Sequence, residues 1–114
     1  IGKLREKGIF IIGSGNIVHN LRNVSFDIDS GYDWAIEFDQ YIRDLILKKE
    51  FKKVLTYHTK GQAAKLSVPT TDHFDPLLYV LGAATEKDDV TVFNEAQING
   101  SLSMTSYIFE VKQA

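Results

Sequence analysis

Apolar positions change period several times along the chain, and each change marks an element. Residues 8–12, GIFII, form a short unbroken apolar run bounded by Gly8 and Gly13. β-branched and aromatic residues between glycines predict a central buried strand. The Gly-Ser-Gly-Asn at 13–16 predicts a turn at the carboxyl end of that strand. NVSFDIDSGYD, 23–33, is a polar loop. From 34 to 49 the period becomes helical. Trp34, Phe38, Tyr41, Ile42 and Leu45 share one face, while Glu37, Gln40, Arg43, Asp44 and Lys48 point elsewhere. Ser30 or Asp33 is placed to cap this helix.

A second helical piece is predicted over 51–59, with a break at Gly61. Pro69 then marks an extended stretch, and Thr70 or Thr71 is placed to cap a third helix running to about Gly82, the predicted C-cap. Pro76 must lie near the first turn of that helix, because deeper inside it would kink it. The last segments, VTVFNEAQI (90–98) and SLSMTSYIFEV (101–111), alternate in strand fashion around Asn99-Gly100. That dipeptide predicts a β-hairpin. Strand, helices, strand, strand is the order of an α/β layer with a mixed sheet.

Composition narrows the function classes. With 114 residues the chain suits one domain or part of one. Its 44% hydrophobic and 25% charged content is ordinary for a globular protein. A formal net charge of −2 gives no electrostatic case for nucleic acid or an anionic membrane as partner. KKEFKK, 48–53, reads as a solvated helix end. The absence of cysteine excludes disulfides and thiolate metal sites and fits a reducing cytoplasm. PLLYVLGAA, 76–84, is too short to cross a membrane, which takes about 20 apolar residues.

Three histidines are the candidate chemistry. GSGNIVHNL, 13–21, is not a Walker loop, since no Gly-Lys-Ser/Thr follows. It also lacks the third glycine of a dinucleotide fingerprint, with Val18 near that place. What remains is a turn that sets His19 just beyond a strand's carboxyl end, the side where α/β sheets carry ligands. A buried histidine satisfied by neighbouring backbone explains the same spacing. In PTTDHFDPLL, 69–78, His73 lies near a helix start between Asp72 and Asp75. Imidazole with carboxylate suits a divalent metal, and the carboxylate can orient the ring. Equally, the aspartates can simply cap the helix. His58, in LTYHTKG, has no such surroundings and reads as an exposed helix end. Glu95 reads as a solvent-facing strand residue, and Tyr57, Tyr79 and Tyr107 as core or cleft-lining.

Taken together, IFIIGSGNIVHNLR, YDWAIEFDQYI, PTTDHFDPLLYVLGA and GSLSMTSYIF resemble the C-terminal half of the class III extradiol ring-cleaving dioxygenases, most closely the 4,5-DOPA extradiol dioxygenase type. The resemblance implies a single α/β catalytic domain of which residues 1–114 are the C-terminal portion. It implies a non-haem divalent metal, Fe(II) or Zn(II), and a catecholic substrate opened with O2. His19 matches the family's acid/base histidine, also a metal contact in the DOPA branch. His73 matches a metal ligand, with Asp72 where the family motif has Glu. The family's other metal-binding histidines come from its N-terminal half, so the site in this chain is expected to be incomplete, and the chain alone inactive. A non-catalytic relative binding metal or a protein is the alternative.

Overall fold

A computed structural model describes residues 1–112. Five α-helices precede the paired strands. They are α1 (Gly2–Glu6), α2 (Asp33–Leu47), α3 (Phe51–Val54), α4 (Gln62–Ser67) and α5 (Asp75–Ala83). Strands β1 (Asp89–Phe93), β2 (Gln97–Ile98), β3 (Leu102–Ser103) and β4 (Ser106–Glu110) follow. Among the described residues no helix is long and apolar enough to cross a membrane.

Helix α2 organises the core. Its buried stripe is Ala35, Phe38, Ile42, Leu45 and Ile46, with Trp34 and Tyr41 packed at the margin. This is the face its period predicts, and Glu37, Gln40, Asp44 and Lys48 are exposed. Val54 of α3, Ala63 and Ala64 of α4, and Phe74 and Leu81 close over it. The Phe38 ring lies 6.0 Å from Phe74 and 6.3 Å from Tyr57 between centroids. Each fully buried side chain of this size contributes about 1.5–3 kcal/mol relative to exposure. The two alanines of α4 allow its backbone to approach α2 closely. Helix α4 was not expected from the sequence, because six residues carry too little periodicity.

Three predicted caps are corrected. The N-cap of α2 is Tyr32, without a side-chain cap; Asp33 is its first helical residue. Tertiary pairing fixes this start instead. The Tyr32 N–H donates to the Gly100 carbonyl at 2.8 Å, and its hydroxyl donates to the Asn23 carbonyl at 2.8 Å. Likewise α5 begins at Asp75 with Phe74 as N-cap, three residues later than a Thr71 cap implies, because residues 71–74 form a separate turn in which the Thr71 carbonyl accepts the Phe74 and Asp75 N–H groups. Pro76 sits in the first turn, as it must. Gly82 remains inside the helix, and the C-cap is Ala84.

The closing hairpin forms around Asn99 and Gly100, both in the left-handed region at φ 50° and 81°. Ile98 faces Leu102 and Gln97 faces Ser103. Farther out, Asp89–Phe93 pairs with Ser106–Glu110, Val90 opposite Phe109. Between the two ladders, three residues (94–96) on one strand oppose two (104–105) on the other, a β-bulge centred on left-handed Asn94, φ 51°. Among the described residues all ladders are antiparallel, and a single bridge, Gly31 to Gly100, runs parallel.

The GIFII strand is a correction. Residues 9–12 pair with no strand among the described residues, and Phe10 and Ile12 are 82% and 74% exposed. A strand needs a partner strand to accept its ladder bonds, and none of the described strands pairs with it.

Helix α1 is clipped to the far end of the molecule by Arg5. Its guanidinium donates to Asp88 Oδ2 at 2.6 Å and to the carbonyls of Ala83 and Phe109, both at 3.1 Å. Burial works to raise the Asp88 carboxyl, but Arg5 and the Thr85 N–H outweigh it and hold the group below the ordinary carboxylate range. A depressed carboxylate adds stability that is present above its unfolded pKa and lost as pH falls through its folded one. Acid unfolding is therefore expected to begin as pH drops below about 4. Asp88→Asn should flatten that limb. Arg5→Ala should cost roughly 1.5–3 kcal/mol, the worth of hydrogen bonds to charged groups. Denaturant melts at a series of pH values check both.

Candidate active site

His19 and His73 lie far apart in sequence, yet their rings stack with centroids 3.5 Å apart and planes 15° from parallel. Three contacts bring them together. The first is a close approach of backbone. A Cβ on Gly13 would stand 2.6 Å from the Pro76 carbonyl oxygen, and one on Gly15 would collide with the carbonyl of His73. The glycines of GSGN thus let the chain lie against the start of α5; they do not cradle a phosphate. The second is Asn16, whose N–H donates to the His73 carbonyl at 2.8 Å while its Nδ2 donates to the Ser103 carbonyl at 2.8 Å. The third is a clamp on the backbone around His19. Its N–H donates to the Ser67 carbonyl at 3.0 Å, and the residue bridges to Leu102 of β3.

The neighbours of His19 are held as firmly. Ser103 N–H donates to the Val18 carbonyl at 3.0 Å. Asn20 N–H donates to the Ser101 carbonyl at 3.1 Å, and Ser101 Oγ returns a bond to the Asn20 carbonyl at 2.6 Å. The Asn20 side chain donates to the Leu66 carbonyl and caps the short 3-10 turn Leu21–Asn23.

Burial, reinforced by the adjacent His73 ring, pushes the His19 imidazole below its ordinary value. At neutral pH His19 is therefore uncharged, with a free lone pair. His73 is 42% exposed, and Asp72 Oδ2 stands 3.5 Å from its Nε2. The Thr70 hydroxyl, which bonds to Asp72, holds that carboxyl below the usual range. Among the described residues no group of three or more His, Cys, Asp or Glu converges on one point. Beside His73 an open cleft of about 380 Å³ is walled by Phe10, Ile12, Pro76, Leu77, Val80 and Tyr107.

The other candidates lie elsewhere. His58 is exposed on a 3-10 turn, Tyr57–Lys60, as expected. Glu95 is exposed and ion-paired with Arg43, 3.1 Å away. Tyr57 packs on the core and Tyr107 is half-buried, but Tyr79 is 65% exposed, against expectation, because its face of α5 meets no described element. Asn16, Asn20 and Ser103 escape sequence reasoning, since small polar residues in a loop and a strand have no periodic signature.

Known proteins resemble the chain along nearly its whole length. It is 39% identical to the 4,5-DOPA dioxygenase extradiol of Escherichia coli K12, over 93% of the chain and 40% of that protein. It is 34% identical to the protein of the same name from Portulaca grandiflora, over 96% of the chain and 41% of that protein. The chain is homologous to the 4,5-DOPA extradiol dioxygenases. The crystal structure of uncharacterized protein JW3007 from Escherichia coli K12 superposes with a TM-score of 0.78 at 37% identity, over 93% of the chain and 45% of that structure. No family model matches the chain. It spans about two fifths of the length of the DOPA-dioxygenase relatives it matches.

The glycine contacts give a direct test. Gly15→Ala forces its methyl into the His73 carbonyl and should cost about 1–3 kcal/mol, as overpacking does, with a changed His19–His73 ring-current shift. Gly82→Ala meets nothing within 4 Å inside α5. It should leave the ring shift alone and stabilise by about 0.5–1 kcal/mol. Thermal melts and proton NMR distinguish the two.

Proposed function

We propose that residues 1–114 form the C-terminal portion of one extradiol dioxygenase domain, in which His19 and His73 supply part of a divalent-metal site. The enzyme opens a catecholic ring, DOPA-like, with O2. The observation that carries this reading is the stacked pair, two imidazoles 3.5 Å apart with His73 lining a cleft, in a chain homologous to DOPA dioxygenases.

The donor set fits such an ion in part. Neutral imidazole suits iron(II) and zinc alike, and burial keeps His19 neutral at physiological pH. The remaining ligands come from outside the described residues, where a site of at least three protein donors must be completed. When bound, the metal supplies the means of bringing a catechol and dioxygen together and the one-electron steps that ground-state oxygen requires.

The chain's own residues do the rest. His73, at the cleft margin, holds the ion. Phe10, Ile12, Pro76, Leu77 and Val80 form an apolar wall that suits an aromatic ring and sheds water from it. His19 accepts a proton from a substrate hydroxyl and returns it later. A neutral imidazole within reach of the substrate can do both. The Ser67 hydrogen bond and the bridge to Leu102 fix the backbone from which the His19 ring projects.

Two outcomes are expected. Incubated with iron(II) and DOPA in air, the 114-residue chain alone forms no yellow semialdehyde, while a protein that carries it together with the rest of a DOPA-dioxygenase domain does. Ring cleavage by the chain alone would overturn the incomplete-site reading. In the longer protein, His73→Ala lowers metal content. His19→Ala slows turnover by roughly 10²–10⁴-fold while much of the metal stays bound. Metal stoichiometry and turnover measured on both variants separate the roles; near-normal turnover in His19→Ala would remove it from the chemistry.

A further inference from the structure

Asp39 is 2% exposed, in the middle of α2. Its carboxylate accepts from Ser103 Oγ at 2.5 Å, Thr105 Oγ1 at 2.6 Å and Gln97 Nε2 at 2.6 Å. All three donors belong to the closing hairpin. Among the described residues no lysine, arginine or histidine stands within ion-pairing distance of it. Arg43, one turn onward, faces Glu95 instead. A buried anion held only by neutral donors is an expensive way to fill space, since an apolar side chain of the same volume packs without losing hydration. What the carboxylate adds is location: three donors must meet two oxygens at fixed places.

The location matters because of what those donors carry. Ser103 also binds the Val18 carbonyl through its N–H and the Asn16 side chain through its carbonyl. Leu102 bridges to His19, and Ser101 binds Asn20 twice. Asn16 in turn binds the His73 carbonyl. A line of hydrogen bonds therefore runs from Asp39 through Ser103 and Asn16 to the His73 backbone, and through Ser103 to Val18, the residue that precedes His19.

We propose that Asp39 is a positioning residue: by locking the hairpin to α2 through Ser103, Thr105 and Gln97, it fixes the stacked geometry of His19 and His73. This rests on the reading of that pair as the metal-binding part of the site. The inference can be tested without turnover. In the intact protein with ring-labelled histidine, the nuclear Overhauser effect between the two rings reports their distance, and zinc titration reports their use as ligands. Asp39→Asn keeps all three connections, because a Ser or Thr hydroxyl can turn to accept from the new amide. Asp39→Leu keeps the volume and removes them.

The expected result is a wild-type ring signal in Asp39→Asn and a weakened one in Asp39→Leu. Zinc affinity in Asp39→Leu should fall roughly 10–100-fold, the usual loss when an outer partner of a ligand is removed. Val54→Ala, a core change on α3, should lower Tm but leave both readings alone, which separates positioning from general loosening. Should Asp39→Leu fail to fold, Ser103→Ala decides, since it cuts the line at one atom and should also weaken the ring signal. Wild-type ring contact in Asp39→Leu or, where that does not fold, in Ser103→Ala overturns the proposal. So does an Asp39→Asn protein that behaves like Asp39→Leu, or a wild type with no ring contact. If the wild-type protein keeps ring contact but binds no zinc, the metal reading fails while the ring signal still judges the role of Asp39.

Discussion

A carboxylate buried among neutral donors is the constraint on which the geometry depends. Taking a charge out of water costs several kcal/mol even after relaxation. Asp39 offsets that cost only while Ser103, Thr105 and Gln97 all reach it. Slippage of the hairpin by one residue would turn these side chains to the opposite face and strand the charge. The hairpin register is thus tied to α2, and α2 is itself fixed by its apolar stripe. The β-bulge at Asn94–Ala96 belongs to the same arrangement. It takes up one extra residue, so the inner ladder can satisfy Asp39 while the outer one pairs Val90 with Phe109.

From that base the site assembles by short-range contacts. Each end of the 16–20 stretch is bonded to β3 or its turn, and its middle to the end of α4. The glycines lack the Cβ atoms that would hold the 13–15 backbone away from His73 and the start of α5. Asn16 then joins both histidine-bearing segments with one residue. Buried polar groups of this kind are costly when unpaired, so each bond both satisfies a group and limits where the neighbouring ring can lie.

Much of this was legible in the sequence, for identifiable reasons. The α2 face follows from the spacing of Phe38, Ile42 and Leu45. The hairpin turn follows from Asn99 and Gly100, which tolerate positive φ. The nearness of His19 to His73 came from the family resemblance, since spacing alone left each open to a bland explanation. What was missed depends on tertiary partners. Gly100 rather than a capping side chain sets the start of α2. GIFII has strand composition, but composition cannot supply the neighbour a ladder requires. Asp39 lies on the α2 stripe at a place where a polar residue reads as an interruption, and only the facing hydroxyls give it a reason.

The electrostatics of the pair follow from its surroundings. The charged groups whose fields reach His19 are His73 and the exposed Asp72. Asp72 stands in water with a 70% exposed side chain, so its field is screened. Burial therefore outweighs it, and a proton on one ring opposes a proton on the other at 3.5 Å. Both effects favour the neutral form of His19. A neutral imidazole takes a cation with little proton release, unlike a protonated thiol, from which binding must displace a proton. Neutrality also leaves His19 able to accept a proton from a bound group without first losing one, the property that a base beside a metal site needs.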